Sequence, residues 1–102
     1  MFTYTRIVRF KNVGSMISGL PVCVQIVEHM KKNYGTDAGL MTPMLGGHPA
    51  RCLFVFRADS LAKVEADLAK TRQDKEWAAL VVKLGEFIDG TATNDQLWQT
   101  VV

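Results

Sequence analysis

Arg51-Cys52-Leu53-Phe54-Val55-Phe56-Arg57 is the stretch that decides the fold. Its five consecutive apolar residues read as a strand buried on both faces, and such a strand belongs in the middle of a sheet. Immediately upstream, Gly46-Gly47-His48-Pro49 supplies a turn. Before that turn, Ala38 to Leu45 reads as the preceding strand. Pro43 has no N–H to donate to a ladder, which predicts an edge position for that strand.

The pattern extends outward in both directions. Phe2 to Lys11 alternates, placing Phe2, Tyr4, Arg6, Val8 and Phe10 on one face and Thr3, Thr5, Ile7, Arg9 and Lys11 on the other. The first set is the more apolar and is predicted to be the more deeply buried. After Asn12-Val13-Gly14, a helix is predicted from about Leu20-Pro21 to Asn33, with the proline in its first turn and Gly35 ending it. Cys23, Ile26, Val27, Met30 and Tyr34 form its apolar stripe.

Downstream of Arg57, Asp59 or Ser60 caps a helix carrying Leu61, Val64 and Leu68, a stripe narrowed by Glu65. Asp74 opens a second helical piece with Trp77, Leu80, Val81, Leu84 and Ile88, which Gly90 closes. Gln96 to Val102 reads as the last strand. The order is βαββαβ in one domain, 1–102. Right-handed crossovers through the helices give an α+β, ferredoxin-like fold: a four-stranded antiparallel sheet of order 4-1-3-2 with the helices on one face.

Composition adds an expectation about assembly. Of the 102 residues, 48% are hydrophobic, a high share for so small a domain. The third strand is apolar on both sides, so the sheet face away from the helices is expected to pack on a second copy, where burial contributes about 25 cal/mol per Å² of apolar area. The formal net charge is +2, and the basic residues are scattered among acidic ones with no stripe for a phosphate backbone. No signal-like N-terminal apolar core and no stretch near ~20 apolar residues is seen, so a soluble cytoplasmic protein without a membrane span is expected. Cys23 and Cys52 sit among apolar neighbours and read as two small buried hydrophobes rather than a disulfide or redox pair.

At this point the chain resembles the dimeric α/β-barrel superfamily. Length, element order, Asp74-Lys75-Glu76-Trp77 and Asp95-Gln96-Leu97-Trp98 carry the likeness, which is similar to that seen in the NIPSNAP group and in small antibiotic-biosynthesis-type monooxygenases. The resemblance implies a sheet-to-sheet homodimer and a cavity between helices and sheet, and it does not imply one chemistry, since the superfamily also includes haem-degrading enzymes and lactone isomerases. The haem-degrading branch uses a helical histidine as iron ligand. Here Ala78-Ala79-Leu80-Val81-Val82-Lys83 follows Trp77 and supplies none, so no cofactor is expected.

Candidate ligand-binding residues are Tyr4, Arg6, Asn12, Trp77 and His29, while no catalytic residue is assigned. A guanidinium on the apolar face of the first strand must find an anion, and for Arg6 a carboxylate across the dimer is the structural alternative to a ligand. Trp77 reads as a core anchor as well as a cavity wall. His29 reads as a surface histidine or an acid–base group, and His48 as a turn residue. Two separate histidines without ligands at metal spacing give no metal site. GxSxG, HExxH, GxGxxG, P-loop and CxxC motifs are absent.

Two functions of different class follow. One is a cofactor-independent monooxygenase or isomerase acting on a small, largely apolar molecule. Its rival is a non-catalytic ligand-binding or structural dimer, whose cavity would be filled by Met30, Met41, Met44 and Phe54. An RNA-recognition-like module shares the βαββαβ order and is a minor alternative. Arg9 stands where its shorter motif wants an aromatic, and the longer motif is missing, so no nucleic acid partner is expected.

Overall fold

A computed structural model describes residues 1–102. The elements run β1 (Phe2–Arg9), α1 (Val13–Tyr34), β2 (Asp37–Met41), β3 (Arg51–Ala58), α2 (Leu61–Thr71), α3 (Lys75–Gly85), a 3-10 turn (Gly90–Ala92) and β4 (Asn94–Gln99). The sheet is antiparallel in the order β2-β3-β1-β4, and β3 is central. This is the expected ferredoxin-like α+β arrangement.

Register explains the two faces. Tyr4, Arg6 and Val8 pair with Phe56, Phe54 and Cys52 on β3, and Tyr4 and Arg6 with Leu97 and Asp95 on β4. These side chains share the helix side, where Val8, Phe10, Cys52 and Phe54 are buried against Val22, Cys23, Ile26, Val27 and Met30 of α1. Each such aliphatic or aromatic side chain contributes about 1.5–3 kcal/mol on burial. Thr5 pairs with Val55 and Ile7 with Leu53 on the opposite face, joined there by Met41 and Trp98. Val55 is buried yet stands outside the helix-side core, so the open face has an apolar centre of its own.

Helix α1 departs most from expectation. It begins seven residues before Leu20, and Pro21 lies in its interior. Asn12 is the reason it starts early: its side-chain Oδ1 accepts the Ser15 N–H at 2.8 Å, capping a first turn whose glycine and serine read as loop. Pro21 leaves the Ile17 carbonyl without its helical donor, but both residues are solvent-exposed, and water can serve that carbonyl. At 22 residues, α1 is long and apolar enough to cross a bilayer by length and composition, contrary to the sequence expectation. Its buried stripe instead lies on the sheet.

Other boundaries shift for local reasons. β1 ends at Arg9, and Phe10 forms an isolated bridge with Ile88. β2 stops at Met41, so Pro43 lies past the strand in the loop. α3 ends at Gly85, and Gly90 opens the 3-10 turn rather than closing the helix. β4 starts at Asn94, two residues early, and leaves Val101 and Val102 exposed beyond it.

Two contacts lock α1 to the sheet. Cys23 and Cys52 are free, fully buried thiols with their sulfurs 3.9 Å apart, so the expected pair of small hydrophobes is in mutual contact. The neighbouring Cys23 sulfur and burial push the Cys52 thiol up, keeping it protonated. Nearby, a Cβ added to Gly19 would stand 2.7 Å from the Phe10 ring and 3.1 Å from Phe87 Cβ. That glycine is where α1 meets Phe10, just past the end of β1.

Gly19→Ala should therefore destabilise the protein. Overpacking costs about 1–3 kcal/mol and outweighs a helix-propensity gain of at most about 1 kcal/mol. Gly85→Ala, with open space around the added methyl, should stabilise by roughly 0.4–1 kcal/mol. Urea unfolding of both variants, with unchanged m-values, checks the opposite signs.

Candidate functional site

The gap between helices and sheet opens at the end of the sheet away from Gly19. There, a cavity of about 390 Å³ is walled by β1, α1, β3, α2 and α3, and eleven of its fifteen lining residues are hydrophobic. Phe54 and Phe56 form the floor, with rings stacked at 6.2 Å and only 4° between their planes. Ile26 and Met30 of α1 and Trp77, Val81 and Leu84 of α3 form the walls. Volume and lining suit a small, mostly apolar molecule.

Polar groups gather on β1 and β4. Arg6 grips Asp95 through two bonds, Nε to Oδ1 at 2.7 Å and Nη2 to Oδ2 at 2.8 Å. The Tyr4 hydroxyl donates to the same Oδ2 at 2.7 Å. Arg6 holds the Asp95 carboxyl below the ordinary carboxylate range, while burial and the bond to Asp95 push the Tyr4 phenol up. The carboxylate partner of Arg6 therefore comes from β4 of the same chain and not from across a dimer, because antiparallel pairing sets Asp95 directly opposite Arg6.

Trp77 lines the cavity, and its indole N–H is buried without a hydrogen-bond partner. Leaving such a donor unpaired costs about 1–3 kcal/mol.

The remaining sequence candidates lie elsewhere. Asn12 is an exposed helix cap outside the lining. His29 also lies outside it, at the junction of α1 and α3. Its Nε2 is 2.6 Å from Asp74 Oδ2, and Asn33 Nδ2 donates to its Nδ1 at 3.1 Å. Glu76 Oε2 stands 3.6 Å from the same Nδ1. The Tyr34 hydroxyl also donates to Asp74 Oδ2, and Oδ1 of Asp74 accepts the N–H groups of Glu76 and Trp77. His29 and then Tyr34 hold the Asp74 carboxyl far below the usual range. Both ring nitrogens of His29 are engaged, so this cluster positions α3, and with it Trp77, rather than presenting a free base.

Met30 and Phe54 line the cavity without filling it, whereas Met41 lies on the open face and Met44 is exposed. His48 accepts the Ala50 N–H in its turn. Sequence reasoning misses Asp95 and Arg72. Starting β4 at Gln96 leaves Asp95 outside the sheet, although the register of an antiparallel neighbour to β1 contains the signal. The open face bears Thr3, Thr5, Ile7, Leu53 and Val55 on its two central strands, so the aromatic platform an RNA-recognition module needs there is missing. Tyr4, Phe54 and Phe56 face the helices instead.

No protein-family model matches the chain, and no curated protein matches it. Solved structures do. An uncharacterized NIPSNAP domain protein from Burkholderia xenovorans superposes with a TM-score of 0.81 at 15% identity, over 99% of this chain and 95% of that one. A NIPSNAP family protein from Agrobacterium tumefaciens gives 0.75 at 18% identity, over 98% and 92%. The cofactor-independent oxygenase SnoaB from Streptomyces nogalater gives 0.72 at 8% identity, over 99% and 93%. These likenesses are of fold: the chain shares the ferredoxin-like α+β fold of these proteins.

The Asp74 junction makes a prediction about acid stability. A carboxyl held low in the folded state stabilises fully above its unfolded value of about 3.9, and the contribution is lost as the pH falls below that value. Asp74→Asn should lower Tm near pH 6, and the gap to the unmutated protein should narrow steadily below about pH 4. Thermal melts from about pH 2.5 to 6 check this, and a gap independent of pH would contradict it.

Proposed function

We propose that the protein is a homodimer that binds a small, largely apolar molecule in the helix–sheet cavity and orients it for cofactor-independent oxygenation or isomerisation. The observation that carries this is the cavity itself, about 390 Å³, aromatic-floored and flanked by the Tyr4–Arg6–Asp95 cluster. The fold shared with a cofactor-independent oxygenase supports the chemistry. Tyr4, Arg6 and Trp77 are the residues proposed to contact the ligand. The two free, buried thiols fit a reducing compartment, in keeping with a cytoplasmic location.

One observation favours a non-catalytic binding protein as the second reading. The titratable lining residues are Tyr4, Arg6 and Arg72. Tyr4 is pushed up and the arginines stay charged, so none of them exchanges a proton near neutral pH. Any reaction in this cavity must draw its reactivity from the substrate, with the protein supplying orientation and exclusion of water.

The dimer is proposed through the open sheet face, where Ile7, Leu53, Val55, Met41 and Trp98 form an apolar patch. Native mass spectrometry on gently purified protein should give 22.6 kDa, twice the 11.3 kDa chain, plus any retained small molecule. Ile7→Asp should leave the circular dichroism spectrum intact while weakening the dimer about a hundredfold or more, because it buries an unpaired carboxylate from each copy (roughly 3 kcal/mol). An unmutated protein that stays at 11.3 kDa would contradict the assembly.

A further inference from the structure

The cavity lining holds two guanidinium groups and no carboxylate. They are not equivalent. Arg6 is neutralised by Asp95 through its paired bonds. Arg72 makes no salt bridge and no side-chain hydrogen bond, and it is exposed at the rim.

The backbone that presents Arg72 is pinned on both sides. It is the C-cap of α2. Before it, Thr71 is buried and its hydroxyl donates to the Leu68 carbonyl at 2.6 Å. After it, the Gln73 and Asp74 N–H groups donate to the carbonyls of Lys70 and Thr71, and Asp74 is fixed by His29 and Tyr34. The guanidinium therefore hangs from a held turn, beside a low-dielectric apolar hollow. An uncompensated cation there strengthens attraction for an anion, and a guanidinium matches the two oxygens of a carboxylate or similar group.

We infer that the ligand of this cavity is an amphipathic organic anion, whose apolar body lies over Phe54 and Phe56 and whose acidic group is held at the rim by Arg72. This rests on the cavity being a binding site and adds the charge and the residue that selects it. It also agrees with the chemistry of the lining: where the protein has no group to deprotonate a substrate near neutral pH, a ligand already ionised is the one that can react.

The test uses two fluorescent probes with one arylamine framework, anionic 1-anilinonaphthalene-8-sulfonate and neutral N-phenyl-1-naphthylamine. Binding is read as quenching of Trp77 in a Trp98→Phe background, so that the cavity tryptophan is the only reporter. The anionic probe is expected to bind about tenfold tighter than the neutral one. Arg72→Gln should abolish that advantage while leaving the neutral probe within about twofold, Arg72→Lys should keep part of it, and Lys75→Gln, which removes a nearby charge outside the lining, should keep all of it. If the neutral probe binds and the anionic probe shows no advantage, or if Arg72→Gln leaves the advantage intact, the inference is overturned and the apolar cavity stands. Quenching by neither probe overturns both. An unchanged Tm for Arg72→Gln establishes that the variant is folded.

Discussion

The structure depends on one constraint: β3 is apolar on both faces. Cys52, Phe54 and Phe56 point to one side and Leu53 and Val55 to the other, and a single layer of helices can cover only one. The helix side is closed by α1, α2 and α3. The other side holds Val55 buried between small neighbours, Thr5 and Gly39, with larger apolar residues around them. The same strand that organises the core thus leaves a second apolar face, and that face is the basis of the proposed dimer.

How α1 meets the sheet then decides where space is left. Near Gly19 the helix and the end of β1 approach so closely that no Cβ fits, and Phe10 fills the junction. The Cys23–Cys52 contact holds the next layer tight. Farther along β1 the inward residues become Arg6 and Tyr4, which are polar and turn toward Asp95 on β4 instead of filling the interior. A side chain recruited into an ion pair at the sheet edge cannot also pack under the helices. The cavity is the volume those two residues give up, and the aromatic pair Phe54 and Phe56 lines it from β3.

Much of this is legible in the sequence, and the parts that are not share a cause. The apolar run Cys52 to Phe56 and the alternation from Phe2 to Phe10 encode their own periodicity, so strand order and buried faces follow from them. Helix starts are less legible where capping overrides composition: Gly14 and Ser15 read as loop, yet one bond to Asn12 makes them part of the first turn of α1. The site is half visible. Tyr4 and Arg6 stand out because a polar residue in an apolar stripe is anomalous. Asp95 and the Asp74 junction do not, because their roles come from partners 89 and 45 positions away. Arg72 is hidden for the same reason, since it belongs to a lining that exists only once the chain has folded.

The contrast between the two cavity arginines follows from the same geometry. Arg6 lies on the helix-side face of β1 yet keeps part of its side chain in solvent, and β4 supplies Asp95 in register as its partner. An arginine at the C-cap of α2 is wetted at the rim and needs no such partner to be tolerated. Folding thus pairs one arginine in register and leaves the other without an ion-pair partner. The cavity has an aromatic floor beside the paired Arg6–Asp95 cluster and an unpaired arginine at its rim, and the proposed orientation of a molecule with one apolar and one charged end rests on that asymmetry.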